Sequence, residues 1–129
     1  MNSKNPKIAI IGLGYVGLPL AVEFGKKHDV VGYDNDVTRI SQLKLSNDRT
    51  NEILNKTLQD TTVNFSSSIN SIIAADVYII TVPTPVDKNN NPNLEPLKLA
   101  TSEIGSILQK GNVVIYESTV YPGCTEEIC

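Results

Sequence analysis

The chain has little of what marks several common function classes. It carries two cysteines and one histidine in 129 residues. Cys124 and Cys129 have the spacing of neither a zinc knuckle nor a CxxC redox pair, so both read as ordinary thiols. Net charge is −3, and no Lys/Arg stripe interleaved with aromatics runs through the sequence, which argues against a nucleic-acid surface. No uninterrupted apolar segment approaches the ~20 residues that cross a bilayer, so no membrane association is expected. The opening Met1-Asn2-Ser3-Lys4-Asn5-Pro6-Lys7 is basic, but the apolar run after it breaks at Gly12 without a small-residue cleavage site. A signal peptide is therefore not expected, and the cytoplasm is the expected compartment. Internal repeats and low-complexity linkers are also missing.

What is present suits one soluble domain. Hydrophobic residues make up 40% and charged residues 19%, and a chain of this length buries roughly two-thirds of its unfolded surface. Strand and helix patterns alternate throughout, which predicts an α/β fold, a doubly wound parallel sheet with helices on both faces. Strands are expected at residues 8–11, 30–33, 63–65, 77–82 and 113–116. The first helix carries Leu18, Leu20, Ala21, Val22 and Phe24 and ends near Lys26-Lys27-His28, where positive charge suits a helix C-terminus and His28 reads as structural. A second helix, 36–45, puts Val37, Ile40 and Leu43 on one face and is stopped by Ser46-Asn47-Asp48. A short helix over 52–58 is expected to turn Ile53, Leu54 and Leu58 inward. Ser66-Ser67-Ser68 is read as the cap of a helix through Ile69, Ile72 and Ile73. After a polar loop at 87–93, Leu97, Ala100, Ile104, Ile107 and Leu108 mark an amphipathic helix closed by Lys110-Gly111.

The chemistry gathers at Gly12-Leu13-Gly14-Tyr15-Val16-Gly17, which follows the apolar run Ile8-Ala9-Ile10-Ile11. At an average glycine frequency of ~7%, three glycines so spaced arise by chance in about 4% of chains this long, so the spacing alone is weak. Its setting strengthens it, because strand, glycine turn, helix, strand and acid follow in order. Gly12 lets the chain leave the strand in a tight turn, Gly14 clears the approach to a pyrophosphate, and Gly17 lets the helix lie close on the sheet. The ligand's charge would rest on N–H groups from Gly14 through Tyr15 to Val16, at the helix N-terminus. Asp34, about 20 residues on, would accept from the adenosine ribose hydroxyls and repel a 2′-phosphate, which favours NAD over NADP. Arg39 has three readings: ribose or adenine contact, which ranks first, contact with a 2′-phosphate, or a solvated helix residue.

Two further strand exits are expected to converge on the same crevice. In Val82-Pro83-Thr84-Pro85 the prolines lack N–H groups and force extended backbone before them, so Thr84 is held rigidly, either as a cofactor contact or as part of a stiff strand terminator. Ser118 and Thr119 place hydroxyls at the exit of the last strand, with no local base to make either a nucleophile.

Together, Ile11 to Pro19 with its glycine turn, Asp34 with Arg39, Val82-Pro83-Thr84-Pro85 and Glu117-Ser118-Thr119-Val120-Tyr121-Pro122-Gly123 resemble the UDP-glucose/GDP-mannose dehydrogenase family, over almost the whole chain. The Tyr-Pro-Gly ending is most similar to members of the Vi-polysaccharide type, which oxidise UDP-N-acetylglucosamine or UDP-N-acetylgalactosamine for bacterial capsule or O-antigen synthesis. The resemblance implies oxidation of a nucleotide sugar's 6-hydroxyl to a carboxylate, with two NAD molecules reduced in turn. It also implies cofactor contacts at Tyr15, Val16, Asp34, Arg39, Thr84 and Thr119, with Thr119 assisting near the reaction centre. The family's covalent steps use a cysteine helped by lysine, asparagine and glutamate, and none of these matches a position here; Cys124 and Cys129 fall too early. The expectation is therefore an NAD-binding domain at 1–129 of a longer, homodimeric enzyme, inactive by itself. On the residues alone, a stand-alone dinucleotide-binding module with a regulatory or redox-sensing role is the alternative. A Rossmann enzyme of the 6-phosphogluconate or hydroxyacyl-CoA dehydrogenase kind fits the Thr84 and Ser118-Thr119 segments poorly.

Overall fold

The computed structural model describes residues 5–117. Five strands, β1 (Ile8–Ile11), β2 (Val30–Tyr33), β3 (Asn64–Ser66), β4 (Val77–Ile80) and β5 (Val113–Tyr116), form one sheet in the order β3-β2-β1-β4-β5. Every pairing is parallel, with Ile8 opposite both Val30 and Val77. Parallel strands need crossovers, and α1 (Gly17–Gly25), α2 (Val37–Lys44), α3 (Asn55–Asp60) and α4 (Glu95–Gly105) supply most of them.

The two-residue alternation of a strand assigns the core. Ile8 and Ile10 point to one face, where they meet Leu18, Ala21 and Val22 of α1 and Ile40 and Leu43 of α2. Ala9 and Ile11 point to the other, against Leu97, Ala100 and Ile104 of α4 and Ile72 of a short 3₁₀ helix, Ile69–Ile72. Burial on both faces explains why β1 reads as a continuous apolar run rather than an alternating one. Pro19 is tolerated in the first turn of α1 because an N–H there has no partner within the helix.

From β1 the chain winds outward through β2 to β3, then returns to place β4 on the other side of β1. Strand order therefore reverses between β1 and β4, and the helices on either side diverge to leave a crevice at the carboxyl ends of those strands.

Several boundaries differ from the sequence expectation. The helix over 52–58 begins only at Asn55, because the N–H groups of Glu52 and Ile53 are drawn to the Asp48 carboxylate. Leu54, expected inward, is 78% exposed, whereas Leu58 is buried and Ile53 packs partly against the core. Ser68 precedes the 3₁₀ turn without capping it through its side chain. The strand expected over 77–82 stops at Ile80, although the Thr81 N–H still donates to the Ile11 carbonyl at 2.8 Å. α4 ends at Gly105, leaving Leu108 exposed. Within the described residues, no helix is long and apolar enough to cross a membrane.

Candidate functional site

The crevice at the strand reversal is a cleft of about 670 Å³. Gly12 and Gly14 from the β1 exit, Asp34 and Arg39 from the β2 exit and α2, and Val82 and Pro83 from the β4 exit all line it. Elements far apart in sequence thus meet where the topology requires.

Gly12 leaves β1 with φ of +94°, a left-handed conformation that disfavours any residue with a Cβ. Gly17 has an ordinary φ but no room: a Cβ there would run into the Gly12 carbonyl and the Thr81 hydroxyl. The tight turn and close packing expected of these two glycines are therefore both present. Gly14 differs, since an added Cβ would meet nothing within 4 Å. The protein itself does not demand glycine at this position, which lines the cleft.

No side chain caps the start of α1, whose N-cap residue is Val16. The Leu18 N–H donates to the Gly14 carbonyl at 3.2 Å and Pro19 has none, so the amides ahead of them and the positive end of the dipole are what the helix presents, which suits an anion. Across the cleft, Asp34 is half-buried at the end of β2. Its Oδ2 accepts the Leu13 N–H at 2.9 Å, and its Oδ1 accepts the Asp36 N–H at 2.9 Å. An ionised carboxylate has about four acceptor sites, so it can still receive hydroxyls from a ligand. The residues present fit a dinucleotide: an open glycine, a helix start with no side-chain cap and an acid at the neighbouring strand end.

Arg39 is only 2% exposed, which removes the reading of a solvated helix residue. Its Nε and Nη2 donate to the Leu13 carbonyl at 2.9 and 2.6 Å, and its Nη1 pairs with Asp48 Oδ1 at 2.9 Å. Asp48 was read in the sequence only as part of a helix stop. Its carboxylate is fully buried and also accepts from the Thr50 N–H and hydroxyl and from the N–H groups of Glu52 and Ile53. Burial pushes this carboxyl up most strongly, but the hydrogen bonds from Thr50, Ile53 and Arg39 together outweigh it and bring it down to about 2.

Thr81, hidden in the sequence inside an apolar strand, holds the turn from the β4 side. Its buried hydroxyl donates to the Gly12 carbonyl at 2.6 Å and lies 3.0 Å from that of Ile11. A hydroxyl closing a Val/Ile run was the available signal. Farther along the cleft, Tyr33 donates to Glu103 of α4 at 2.7 Å, and Pro96 and Leu99 of α4 add apolar wall. Burial, then the Glu103 carboxylate, raises the Tyr33 phenol well above its ordinary range, so it remains a donor. Arg49 and Asp36 form an exposed ion pair at 3.0 Å near the rim.

Some expected contacts stand apart from the cleft lining. Tyr15 is 70% exposed on the turn, Gly17 is buried behind it, and Thr84 and Pro85 lie past the β4 exit. Val16 faces a separate groove on the other face of the sheet, beside Ile79 and Ile115. Ser118, Thr119, the Tyr121-Pro122-Gly123 ending, Cys124 and Cys129 lie outside the described residues.

Known proteins place this geometry. Residues 6–129 match the model of the UDP-glucose/GDP-mannose dehydrogenase family, NAD binding domain. The chain is 50% identical over 127 residues to the UDP-N-acetyl-D-glucosamine 6-dehydrogenase of Pseudomonas aeruginosa, covering 98% of this chain and 30% of that protein. It is 52% identical over 124 residues to the enzyme of the same name from Salmonella typhi, covering 95% and 29%. Among solved structures, UDP-D-ManNAc dehydrogenase from Pyrococcus horikoshii superposes with a TM-score of 0.86 at 31% identity, over 94% of this chain and 30% of that one. The chain thus spans about 30% of the length of the curated relatives it matches. With nearly its whole length matched, the chain belongs to the UDP-glucose/GDP-mannose dehydrogenase family, of which it is the NAD-binding domain.

Proposed function

We propose that this chain seats NAD for an enzyme that oxidises a UDP-N-acetylhexosamine at C6 to the uronic acid, for surface polysaccharide synthesis. The observation that carries the reading is the meeting of the glycine turn and Asp34 in one cleft, joined by the 2.9 Å hydrogen bond from Leu13 N–H to Asp34. In this reading the amides from Gly14 through Tyr15 and Val16 receive the pyrophosphate, while Gly12 and Gly17 hold the turn in shape. Asp34 accepts the adenosine ribose hydroxyls and repels a 2′-phosphate. Arg39, which lines the same cleft, meets the adenosine ribose or adenine while holding the turn through the Leu13 carbonyl, and Val82, Pro83, Thr84 and Pro85 border the nicotinamide end. Ser118 and Thr119 complete that end, Thr119 assisting near the reacting sugar. NAD, when bound, supplies the two-electron acceptor, and the chain's own residues bind it, orient it and discriminate against NADP.

The sugar assignment draws support from the relatives named UDP-N-acetyl-D-glucosamine 6-dehydrogenase, each half identical to this chain. A cytoplasmic homodimer is part of the same reading. The test is an assay of the full-length enzyme carrying this chain with NAD and a panel of nucleotide sugars. Reduction of NAD is expected with a UDP-N-acetylhexosamine and to a lesser extent, or not at all, with UDP-glucose. Absence of reduction with every UDP-sugar and with GDP-mannose contradicts the reading.

A further inference from the structure

The buried pair formed by Arg39 and Asp48 touches the glycine turn at a decisive atom. Both Nε and Nη2 of Arg39 converge on the carbonyl oxygen of Leu13, at 2.9 and 2.6 Å. That carbonyl belongs to the peptide whose N–H is Gly14's. In a trans peptide the N–H points away from the C=O, and no cis bond occurs among the described residues. Drawing the Leu13 carbonyl into the buried guanidinium therefore turns the Gly14 N–H to the opposite side, and Gly14 is exposed and lines the cleft. The preceding peptide is fixed as well, by the Leu13 N–H on Asp34.

A guanidinium that is 2% exposed needs a partner to stay where it is, since an unpaired buried charge is costly. Asp48 is that partner, and its own position is fixed by Thr50, Glu52 and Ile53. We propose that Asp48 is a positioning residue for the cofactor, acting through Arg39 to lock the Leu13–Gly14 peptide with its N–H toward the pyrophosphate. Released from the guanidinium, this peptide can rotate and present a carbonyl oxygen to the phosphates, where it repels them. Glycine at 14 makes such a rotation easy, because that residue is sterically permissive on either side. A turn that must be open for a ligand is for the same reason one that needs bracing.

This inference rests on the reading of the cleft as an NAD site, and the test separates the two. NAD and adenosine are titrated into the protein and into its Asp48→Asn variant, with calorimetry for the first ligand and NMR for the weaker second. Adenosine engages Asp34 but has no phosphate to meet the turn. The expected result is a loss of tenfold or more in NAD affinity with adenosine affinity changed less than threefold. Equal losses for both ligands, or NAD affinity within twofold of the parent, overturn the lock while leaving the NAD site intact. Failure of the unsubstituted protein to bind NAD overturns the site reading, and the lock with it. Should Asp48→Asn not fold, Thr50→Val removes the 2.6 Å hydrogen bond to the same carboxylate and keeps its charge. The same selective loss, smaller in size, is then expected, and unchanged or equal affinities overturn the proposal.

Discussion

Gly14 and Gly17 stand three residues apart in one turn, and adding a methyl group to each has opposite consequences. At Gly17 the methyl meets the Gly12 carbonyl and the Thr81 hydroxyl, so Gly17→Ala is expected to cost at least the 1–3 kcal/mol, roughly, of an overpacked core. At Gly14, which lines the cleft, it meets nothing within 4 Å, so Gly14→Ala is expected to keep its Tm within about 2 °C, the scale of a few tenths of a kcal/mol, yet weaken NAD binding by roughly tenfold or more. Thermal melts paired with calorimetry check both; a Gly14→Ala variant that binds NAD normally places the pyrophosphate elsewhere. Asp34 combines two jobs, since it accepts the Leu13 N–H as well as facing the cleft. Asp34→Ala is therefore expected to weaken NADP somewhat and NAD more, each lost charged hydrogen bond being worth about 1.5–3 kcal/mol, tenfold to a hundredfold in affinity. Equal losses for the two dinucleotides in parallel titrations show that Asp34 does not read the ribose. The Gly17 packing and the acid at the end of β2 were legible because each falls on a local pattern. Arg39 was only partly legible: its three readings did not include the Leu13 carbonyl, distant in sequence, and Asp48, which hold it buried and remove the solvated one.

At the scale of elements, the segment between α2 and α3 is governed by one carboxylate. Asp48 gathers the N–H groups of Thr50, Glu52 and Ile53, and this is why the helix foreseen from Ile53, Leu54 and Leu58 starts late and turns Leu54 outward. Apolar spacing over so short a stretch does not reveal that its amides are already engaged. The runs with a single solution fared better: β1 and β2 have the expected bounds, as does β5. Asp48 also carries a pH signature. Its carboxyl lies at about 2 in the folded chain against an ordinary 3.8, so its ionised form favours folding by about 2 kcal/mol. That contribution is complete above pH ~4 and is lost as pH falls through about 2, because a lowered folded value means that the unfolded chain binds the proton first. Urea unfolding followed from pH 6 to pH 2 is expected to show stability falling over that window, with a shallower fall in Asp48→Asn. Identical profiles contradict the assigned shift.

The molecule as a whole is built around one reversal of strand order. The alternating apolar runs were enough to foresee a parallel sheet covered on both faces, and the observed order β3-β2-β1-β4-β5 places the β1, β2 and β4 exits around a single cleft; the Ser118-Thr119 exit expected to join them lies outside the described residues. Pairing order is not written in any one segment, but the short glycine turn, a buried β1 and right-handed crossovers leave few arrangements. Thr81 shows where this legibility ends. Its hydroxyl reaches the Gly12 carbonyl only because β4 lies beside β1, a relation that emerges after the sheet has formed. The account's central claim is that the turn and Asp34 together hold one NAD molecule across this reversal. A crystal structure of the protein grown with NAD tests it most directly. The account expects pyrophosphate oxygens within hydrogen-bond reach of the amides between Gly14 and Val16 and an adenosine ribose hydroxyl on Asp34. A dinucleotide seated away from the turn, or with its ribose hydroxyls directed away from Asp34, would contradict it.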